Sequence, residues 1–400
     1  MKDTPRGMRP HIILLGRRNV GKSSLVNALC EQPLALVSAV PGTTTDPVHK
    51  PFELLPFGPV VFVDTGGVDD VGELGLMRVA LTRRELSTAD FALLVVEAGN
   101  WGAEEDALLA DLKQRRLPHL VVVNKTDLAA DWRCPEPDAF YVSARENRDI
   151  RPLRQRLSAA LTALSQREPT IVGDLVTGGK LVVMVAPIDL EAPKGRLILP
   201  QVMTIRDVLD HDAVAMVVKE RELHATLKTL GRDPDLVITD SQVVLKVAGD
   251  VPETIPLTTF SILFARLKGD LATFVRGAMA IDDLTDGDKV LIAEACSHHA
   301  VADDIGRVKI PRWVRQYTGM DLHFDVVQGM DFPDNLEDYR LVVHCGGCML
   351  TPRAMQARMG ESLGRQVPIS NYGVTISHVQ GVLKRVLVPF GGLDLLLGRP

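Results

Sequence analysis

Short apolar runs alternate with longer amphipathic stretches through the first 165 residues of the chain. Five runs have the length and the apolar content of buried strands: residues 11–15, 60–63, 91–96, 120–123 and 140–142. Helical patterns separate these runs, and the last of them covers residues 150–166. Because strands that alternate with helices form parallel sheets, this region is predicted to be a doubly wound, mostly parallel α/β domain.

Two further α/β patterns follow a polar segment at residues 167–170. The first predicts strands at residues 181–186, 213–218, 236–239 and 243–248, with helices at 206–209 and 221–230. The second begins with a helical pattern at residues 260–280 and continues with strands at 289–294, 322–327 and 339–343. We therefore predict three α/β domains, the middle one small, over residues 1–168, 169–257 and 258–400.

Composition narrows the class of protein and its partners. A hydrophobic content of 46% and a charged content of 24% are ordinary for globular domains. The net charge of -6 disfavours a nucleic-acid partner. The apolar runs are far shorter than the roughly 20 residues that span a bilayer, so no membrane partner is expected. Five cysteines, an odd number, do not form the even framework of a secreted domain, and a cytoplasmic protein is predicted.

Residues 16–23, GRRNVGKS, fit a phosphate-binding loop between the first strand and a helix. Its backbone N–H groups are expected to surround the phosphates, Lys22 to reach the β- and γ-phosphates, and the Ser23 hydroxyl to bind Mg²⁺. ATP fits such a loop as well as GTP. The predicted nucleotide-binding residues of this segment are Gly16, Asn19, Val20, Gly21, Lys22, Ser23 and Ser24.

A second motif selects guanine. Asn124-Lys125-Thr126-Asp127 follows a predicted strand, and Ser143-Ala144 follows a later one. The Asp127 carboxylate is suited to two donors on guanine that adenine does not present, and the Lys125 stem to the face of the base. Asn124 is expected to tie this loop to the phosphate side, and the Ala144 amide to donate to the guanine carbonyl oxygen. We therefore predict a GTPase that converts GTP to GDP and phosphate.

Two segments are predicted to be switch loops around the γ-phosphate. Asp64-Thr65-Gly66-Gly67 would supply a carboxylate on the Mg²⁺ side and a Gly67 amide, and Thr44 would close on Mg²⁺ from the other side. Together with Lys22, these residues are the predicted catalytic set. Val68 occupies the position where a glutamine could orient the attacking water. Another group must therefore orient that water or stabilise the transition state.

The phosphate loop with Asn19, the Gly-Thr-Thr-x-Asp segment and the Asp-Thr-Gly-Gly turn resemble the Era and MnmE branch of GTPases. In that branch the matching asparagine helps to bind a potassium ion that takes the role of an arginine finger. The resemblance implies that Asn19 is a K⁺ ligand. The alternative is that Asn19 only shapes its loop.

A metal-ligand pattern lies near the carboxyl end of the chain. Cys296-x-His298 is followed, after 45 residues, by His344-Cys345-Gly-Gly-Cys348. Both groups come directly after predicted strands, so they are expected at the carboxyl ends of parallel strands, where open α/β sheets place their sites. Three thiols and one imidazole suit a structural zinc, whereas three thiols with an open fourth position suit a 4Fe-4S cluster. The ligand types alone leave both metals open.

The whole pattern resembles the HydF family of FeFe-hydrogenase maturation GTPases, which joins an Era-like GTPase domain, a dimerisation domain and a cluster domain with this cysteine spacing. The resemblance covers the whole chain. It implies a homodimeric scaffold or chaperone that holds a 4Fe-4S cluster and a two-iron precursor. Its partners would be the apo-hydrogenase and the radical-enzyme maturases of the pathway. Cys296, Cys345 and Cys348 carry over as cluster ligands, and His298 and His344 as candidates for the fourth.

Other cysteines and histidines are assigned no chemistry. Cys30, Cys134, His211, His224 and His299 match no motif position and are expected to be structural or solvated. One rival hypothesis is a ribosome- or tRNA-associated GTPase with a structural zinc. A second is a redox enzyme that uses the cluster for electron transfer, but no second cofactor motif supports it.

Overall fold

The computed structural model describes residues 9–31, 48–65, 82, 85–129, 131–165, 170–187, 197–295, 304–329, 332–348 and 350–398. The chain divides into two compact units, Met1–Glu168 and Pro169–Pro400. No helix in these described ranges is long and apolar enough to cross a membrane.

The first unit is built on a six-stranded sheet. Its strands are β1 (His11–Leu15), β2 (Val48–Leu54), β3 (Gly58–Asp64), β4 (Phe91–Glu97), β5 (His119–Asn124) and β6 (Phe140–Tyr141), in the order β2-β3-β1-β4-β5-β6. Every neighbouring pair is parallel except β2 with β3. The described helices are α1 (Lys22–Cys30), α2 (Ala103–Gln114) and α3 (Ile150–Ser165). Apolar side chains of the central strands are buried on both faces, which confirms the predicted doubly wound sheet.

The second unit contains two four-stranded parallel sheets. One has the order β10-β9-β7-β8 and the other β12-β11-β13-β14. Their strands are β7 (Leu181–Val185), β8 (Val214–Val218), β9 (Leu236–Thr239), β10 (Leu257–Thr259), β11 (Lys289–Glu294), β12 (His323–Gln328), β13 (Leu341–His344) and β14 (Ile369–Asn371). A continuous set of buried apolar residues runs from Leu181 to Leu387 through both sheets. The predicted α/β class is therefore confirmed for the whole chain.

Helices cover these two sheets. They are α4 (Leu199–Asp210), α5 (Leu223–Thr229), α6 (Val244–Asp250), α7 (Phe260–Lys268), α8 (Leu271–Met279), α9 (Ile310–Thr318), α10 (Pro352–Gly364), α11 (Tyr372–Val379), α12 (Leu383–Val386) and α13 (Gly392–Leu396). Within the second unit, the division expected between residues 257 and 258 stays a prediction.

The strand predicted at residues 243–248 is wrong, because this segment begins helix α6. The Asp240 carboxylate accepts a hydrogen bond from the Gln242 backbone, which starts a 3-10 turn at Ser241–Val243. Helix α6 then buries Val244 and Val247 on one face. A run of valines matches both a strand and one face of a short helix, and the Asp240 cap decides between them.

The helical pattern at residues 260–280 forms two helices instead of one. Gly269 separates α7 from α8, and a side chain there would lie 2.6 Å from Phe274 and 2.8 Å from Met359. The Asp270 carboxylate then accepts from the Thr273 backbone N–H at 2.8 Å and begins α8. The break allows both helices to pack closely, and it leaves Lys268 at the last position of α7.

Gly277 provides a test of the packing between α8 and β14. A Cβ atom at Gly277 would lie 2.0 Å from the backbone oxygen of Ile369, which cannot move without shifting the strand. We expect Gly277→Ala to lower the free energy of unfolding by about 1–3 kcal/mol through overpacking. Gly360→Ala is the control, because Gly360 lies in α10 with open space around it. The free energy of unfolding of that variant should exceed that of the wild type by about 0.5–1 kcal/mol, because alanine is favoured over glycine inside a helix. Thermal unfolding checks both, and equal Tm values would contradict this packing.

Candidate functional site

The phosphate loop has the backbone that a nucleotide requires. Gly16 and Gly21 adopt φ values of 139° and 94°, and a Cβ at Gly16 would lie 2.2 Å from the Val95 carbonyl oxygen. Gly21 precedes α1 without a side-chain cap, so the first N–H groups of the helix remain available to an anion. The Lys22 ammonium donates to the carbonyl oxygens of Gly16 and Arg17, both at 2.8 Å, across the mouth of the loop.

A carboxylate stands beside this loop at the end of β3. The Ser23 hydroxyl donates to Oδ2 of Asp64 at 2.7 Å, and the buried Lys50 ammonium lies 3.3 Å from the same oxygen. Oδ1 of Asp64 is buried without a hydrogen-bond partner among the described residues. A hydroxyl and a carboxylate oxygen in contact, with a second oxygen unused, fit the hard oxygen ligands and bound waters that Mg²⁺ prefers. Sequence reasoning missed Lys50, whose strand β2 carries no clear apolar pattern.

The predicted base-binding residues converge at the ends of β5 and β6. Asn124 donates through Nδ2 to the Val20 carbonyl oxygen at 2.9 Å, so it joins this loop to the phosphate loop. The Asn124 side-chain oxygen also accepts from the Ala144 backbone N–H at 3.0 Å. That amide, which we expected to donate to the base, is therefore engaged within the protein in this structure.

Asp127 faces a cavity that is large enough for a nucleoside. The Ser143 hydroxyl donates to Asp127 Oδ1 at 2.6 Å and holds the pKa of that carboxyl below its usual range. Gly21, Ser24, Asn124 and Ala144 lie with it around a cavity of about 790 Å³. This size is typical of small-molecule sites. The Lys125 ammonium pairs with Glu97 at 2.9 Å at the same edge of the sheet.

An ion pair with the buried Glu105 side chain anchors the phosphate loop. Arg17 donates from Nε to one oxygen of Glu105 at 2.6 Å and from Nη2 to the other at 2.5 Å. The Glu105 carboxylate also accepts from the Gly102 backbone N–H at the start of α2. The Arg17 guanidinium is therefore engaged by the carboxylates of Glu104 and Glu105 in α2. This pair joins residues 88 positions apart, and no local pattern signals it.

Several predicted site residues lie outside the described ranges. They are Thr44, Gly67, Cys296 and His298, together with His299. Asn19 is described, with a left-handed backbone at φ 59°. In the part of the chain that the structure describes, no group of three or more His, Cys, Asp or Glu side chains is arranged to hold a metal ion.

Cys345 occupies the strand end that the sequence predicts. Strands β11 and β13 are parallel neighbours, with Ala293 opposite His344, so the next residues of the two strands adjoin. The Cys345 N–H donates to the Ala293 carbonyl oxygen at 2.9 Å, and the Ala295 N–H lies 3.3 Å from the Cys345 sulfur. Burial raises the pKa of the Cys345 thiol, while the N–H groups of Ala295 and Gly347 oppose that rise. Backbone N–H groups aimed at a sulfur suit a thiolate ligand.

A glycine turn brings Cys348 back towards Cys345. Gly347 has φ 58°, and a Cβ there would lie 2.5 Å from Met355, so this position requires glycine. Behind the turn, the Lys268 ammonium donates to the carbonyl oxygens of Gly347 at 2.9 Å, Cys348 at 3.1 Å and Leu350 at 2.9 Å. Sequence reasoning missed Lys268, which is 79 residues from Gly347.

His344 is fully buried at the end of β13. Its Nδ1 donates to the Cys345 carbonyl oxygen at 2.6 Å, which fixes the tautomer and leaves the Nε2 lone pair. Nε2 has no hydrogen-bond partner among the residues in the described ranges. Burial, followed by the nearby Arg358 charge, lowers the pKa of His344 to about 3. The imidazole is therefore neutral at physiological pH, as a metal ligand must be.

Three further polar residues lie near Cys345. Glu294, at the end of β11, is buried and pairs with Arg307 at 2.8 Å. Tyr372 follows β14, and burial raises the pKa of its phenol, with the nearby Cys345 and Glu294 adding to the rise. Tyr372 comes directly after β14, which is parallel to β13. Recognising β14 in the sequence would therefore have indicated Tyr372 as a residue at the same edge of the sheet.

The remaining described cysteines lie in the first unit. Cys30, the last residue of α1, is buried in the core, and burial raises the pKa of its thiol to about 11. Cys134 packs at the edge of the opposite core of the first unit. The described cysteines, Cys30, Cys134, Cys345 and Cys348, are all free thiols.

Three family models match successive parts of the chain. Residues 11–125 match the 50S ribosome-binding GTPase model, residues 171–269 the hydrogen maturase F dimerization domain, and residues 272–389 the hydrogen maturase F tetramerization domain. The chain belongs to the HydF family of hydrogenase maturases. The first unit of this HydF chain is a GTPase domain of the Era and MnmE type, and the two oligomerization models indicate a homo-oligomer.

Relatives outside the HydF family resemble the GTPase domain alone. The tRNA modification GTPase MnmE of Synechococcus sp. (strain CC9605) is 37% identical over 177 residues, which cover 41% of this chain and 38% of the relative. MnmE of Bordetella petrii is 35% identical over 150 residues. The chain thus spans little more than a third of the curated relatives it matches.

Among solved structures, Era of Aquifex aeolicus is 21% identical, with a TM-score of 0.33, over 38% of this chain and 56% of that one. The G domain of the T. maritima iron transporter FeoB is 20% identical, with a TM-score of 0.30, over 38% of this chain and 99% of that one.

Lys50 pairs with Asp64 on the side where Mg²⁺ is expected. The loss of stability caused by replacing Lys50 should therefore depend on whether Mg²⁺ is bound. Lys50→Met leaves a buried carboxylate without its cation, which should destabilise the nucleotide-free protein by about 3–5 kcal/mol. With Mg²⁺ and GDP, the metal supplies positive charge on that side and the loss should be smaller. Unfolding followed by circular dichroism in EDTA and in Mg²⁺ with GDP measures both. Lys113→Met, which breaks an exposed pair with Glu136, is the control and should change little. An equal loss under the two conditions would contradict this interpretation of Lys50.

Proposed function

We propose that this HydF family member is a GTP-hydrolysing scaffold that binds a 4Fe-4S cluster and holds the two-iron precursor of the FeFe-hydrogenase active site for delivery. Its partners are the apo-hydrogenase and the radical-enzyme maturases of the same pathway. The observation that carries the proposal is the Cys345 thiol, which meets backbone N–H groups at the end of β13 beside the strand that precedes Cys296. Family membership and the GTPase domain support it.

In the nucleotide site, Lys22 and the N–H groups of residues 16–24 bind the phosphates. Ser23 and Thr44 would hold Mg²⁺, and Asp64 would supply a carboxylate on the Mg²⁺ side. The Gly67 amide contacts the γ-phosphate. Asn19 would help to bind K⁺, which would supply positive charge beside the phosphates.

In the base site, Asp127 accepts two donors from guanine and Lys125 lies along the base. Ser143 supports this role because its hydroxyl donates to the Asp127 carboxylate and lowers its pKa. Asn124 positions both loops, and the Ala144 amide turns from Asn124 to the guanine oxygen when the nucleotide enters. A site built to pair with guanine rejects adenine because its polar groups would be left unpaired.

In the cluster site, Cys296, Cys345 and Cys348 are the thiolate ligands. When bound, the cluster supplies an iron site that accepts and releases an exchangeable ligand. His344 is a candidate for the fourth position because its Nε2 is neutral and unpaired within the described residues. His298 is the other candidate. The buried pair of Glu294 with Arg307 adds no net charge beside the thiols.

The domain division follows the chemistry. We propose that residues 1–168 hydrolyse GTP, residues 169–257 form the dimer, and residues 258–400 carry the cluster. Edge strand β8 supports the dimer, because Val214 and Val217 are exposed on it. Exposed apolar side chains on an edge strand are suited to pairing with a second copy of the same chain.

The rival hypothesis of a ribosome- or tRNA-associated GTPase rests on the first unit alone. The similarity to MnmE covers 41% of this chain, whereas the hydrogen maturase models match residues 171–269 and 272–389. The net charge of -6 provides no excess of cations for a phosphate backbone.

Loss of Cys345 should abolish delivery while hydrolysis persists. We expect Cys345→Ser to retain little iron after anaerobic reconstitution and to leave apo-hydrogenase inactive, because a hydroxyl replaces a buried thiolate ligand. Its rate of GTP hydrolysis should match that of the wild type. Cys134→Ser is the matched control and should keep both iron and delivery. Hydrogen evolution after incubation with the maturases is the measurement. Full activation by Cys345→Ser would refute the proposal.

A further inference from the structure

Lys268 is among the largest fully buried side chains of the described chain, and it is a lysine. It is 1% exposed at the last position of α7. All three hydrogens of its ammonium are used, because it donates to the carbonyl oxygens of Gly347, Cys348 and Leu350. These carbonyls belong to the turn that carries Cys348 and the residues that follow it.

The charge of this lysine has no carboxylate partner within the described ranges. No Asp or Glu described there lies within ion-pairing distance of its ammonium. Burial lowers the pKa of Lys268 to about 8, and the nearby acidic groups that oppose this are the thiols of Cys348 and Cys345. Burying a cation is costly unless an anion lies close by. Thiolates or an anionic cluster at this turn would supply that anion.

The hydrogen bonds also orient the turn. In a trans peptide the C=O and N–H groups point in opposite directions. Because the carbonyl of Gly347 points to Lys268, the Cys348 N–H that follows it points to the other side of the turn. On the preceding peptide, the Gly347 N–H donates a hydrogen bond to the Cys345 thiol. A turn fixed from behind in this way presents its sulfur atoms in one geometry.

Lys268 also joins two family segments. It lies at the end of the region matched by the dimerization model, residues 171–269, whereas its carbonyl partners lie in the region matched by the tetramerization model, residues 272–389. Two residues earlier on the same helix, Arg266 pairs with Asp174 at 2.6 Å, near the start of the second unit. The carboxyl-terminal end of helix α7 is therefore bonded to both segments: Arg266 binds Asp174 in the dimerization segment, and Lys268 binds the turn in the tetramerization segment.

We propose that Lys268 is a positioning residue for the cluster: it holds the turn that carries Cys348 and places a positive charge behind the thiolate ligands, which favours the reduced cluster. This inference rests on the proposed cluster function. A neutral residue at this position would make the reduced state, which carries one more negative charge, less stable. The cluster would then be harder to reduce.

The test compares Lys268→Met with wild type and with Lys246→Met, an exposed lysine of α6, after anaerobic reconstitution. The measurements are the midpoint potential from EPR-monitored reduction and the rate of iron loss to a chelator. For Lys268→Met we expect a more negative potential and several-fold faster iron loss, with Lys246→Met unchanged. Lys268→Arg, which keeps the charge, should restore the potential towards that of the wild type.

The outcomes separate the two proposals. A wild type that binds no iron would overturn the cluster function and this inference with it. A wild type with a cluster whose potential is unaffected by Lys268→Met would overturn the inference alone, since a purely structural lysine would change iron retention without changing the potential. If circular dichroism shows that Lys268→Met does not fold, Lys268→Gln and Lys268→Arg provide the same comparison of neutral and charged side chains.

Discussion

Parallel pairing of β11 with β13 determines where the thiols of the second unit can lie. The register places Ala293 opposite His344, so the residues after these two strands leave the sheet at the same edge. Strands that are far apart in sequence can bring their following residues together only if they run in the same direction. The N–H of Ala295 then reaches the Cys345 sulfur, and Tyr372 joins them from the end of β14. The candidate cluster site is a consequence of this sheet order.

Both candidate sites place a buried lysine beside an anionic group. In the first unit, the Lys50 ammonium lies 3.3 Å from Asp64, on the side where Mg²⁺ is expected. In the second, Lys268 lies behind the turn that carries Cys348. Each lysine lowers the cost of burying negative charge before the metal arrives. Each also donates to buried oxygens around it: Lys50 to Oδ2 of Asp64, and Lys268 to the carbonyls of the turn.

The parts of the fold that follow local patterns could be predicted from the sequence. The phosphate loop, the Asn124 motif and the strand ends before Cys345 each depend on a few neighbouring residues, and the structure places them at the ends of β1, β5 and β13. The strand predicted at residues 243–248 failed because the Asp240 cap overrides a valine run. Lys268 and the pair of Arg17 with Glu105 could not be foreseen, because they join residues 79 and 88 positions apart. Nothing in a local pattern encodes such a pairing.

The central claim is that the three cysteines of the second unit hold iron and sulfide. Metal and acid-labile sulfide analysis of wild-type protein purified without oxygen, combined with Mössbauer spectroscopy, tests it most directly. We expect iron and sulfide in equal amounts, the spectrum of a 4Fe-4S cluster and no stoichiometric zinc. Colourless protein that contains zinc and no sulfide would contradict the account.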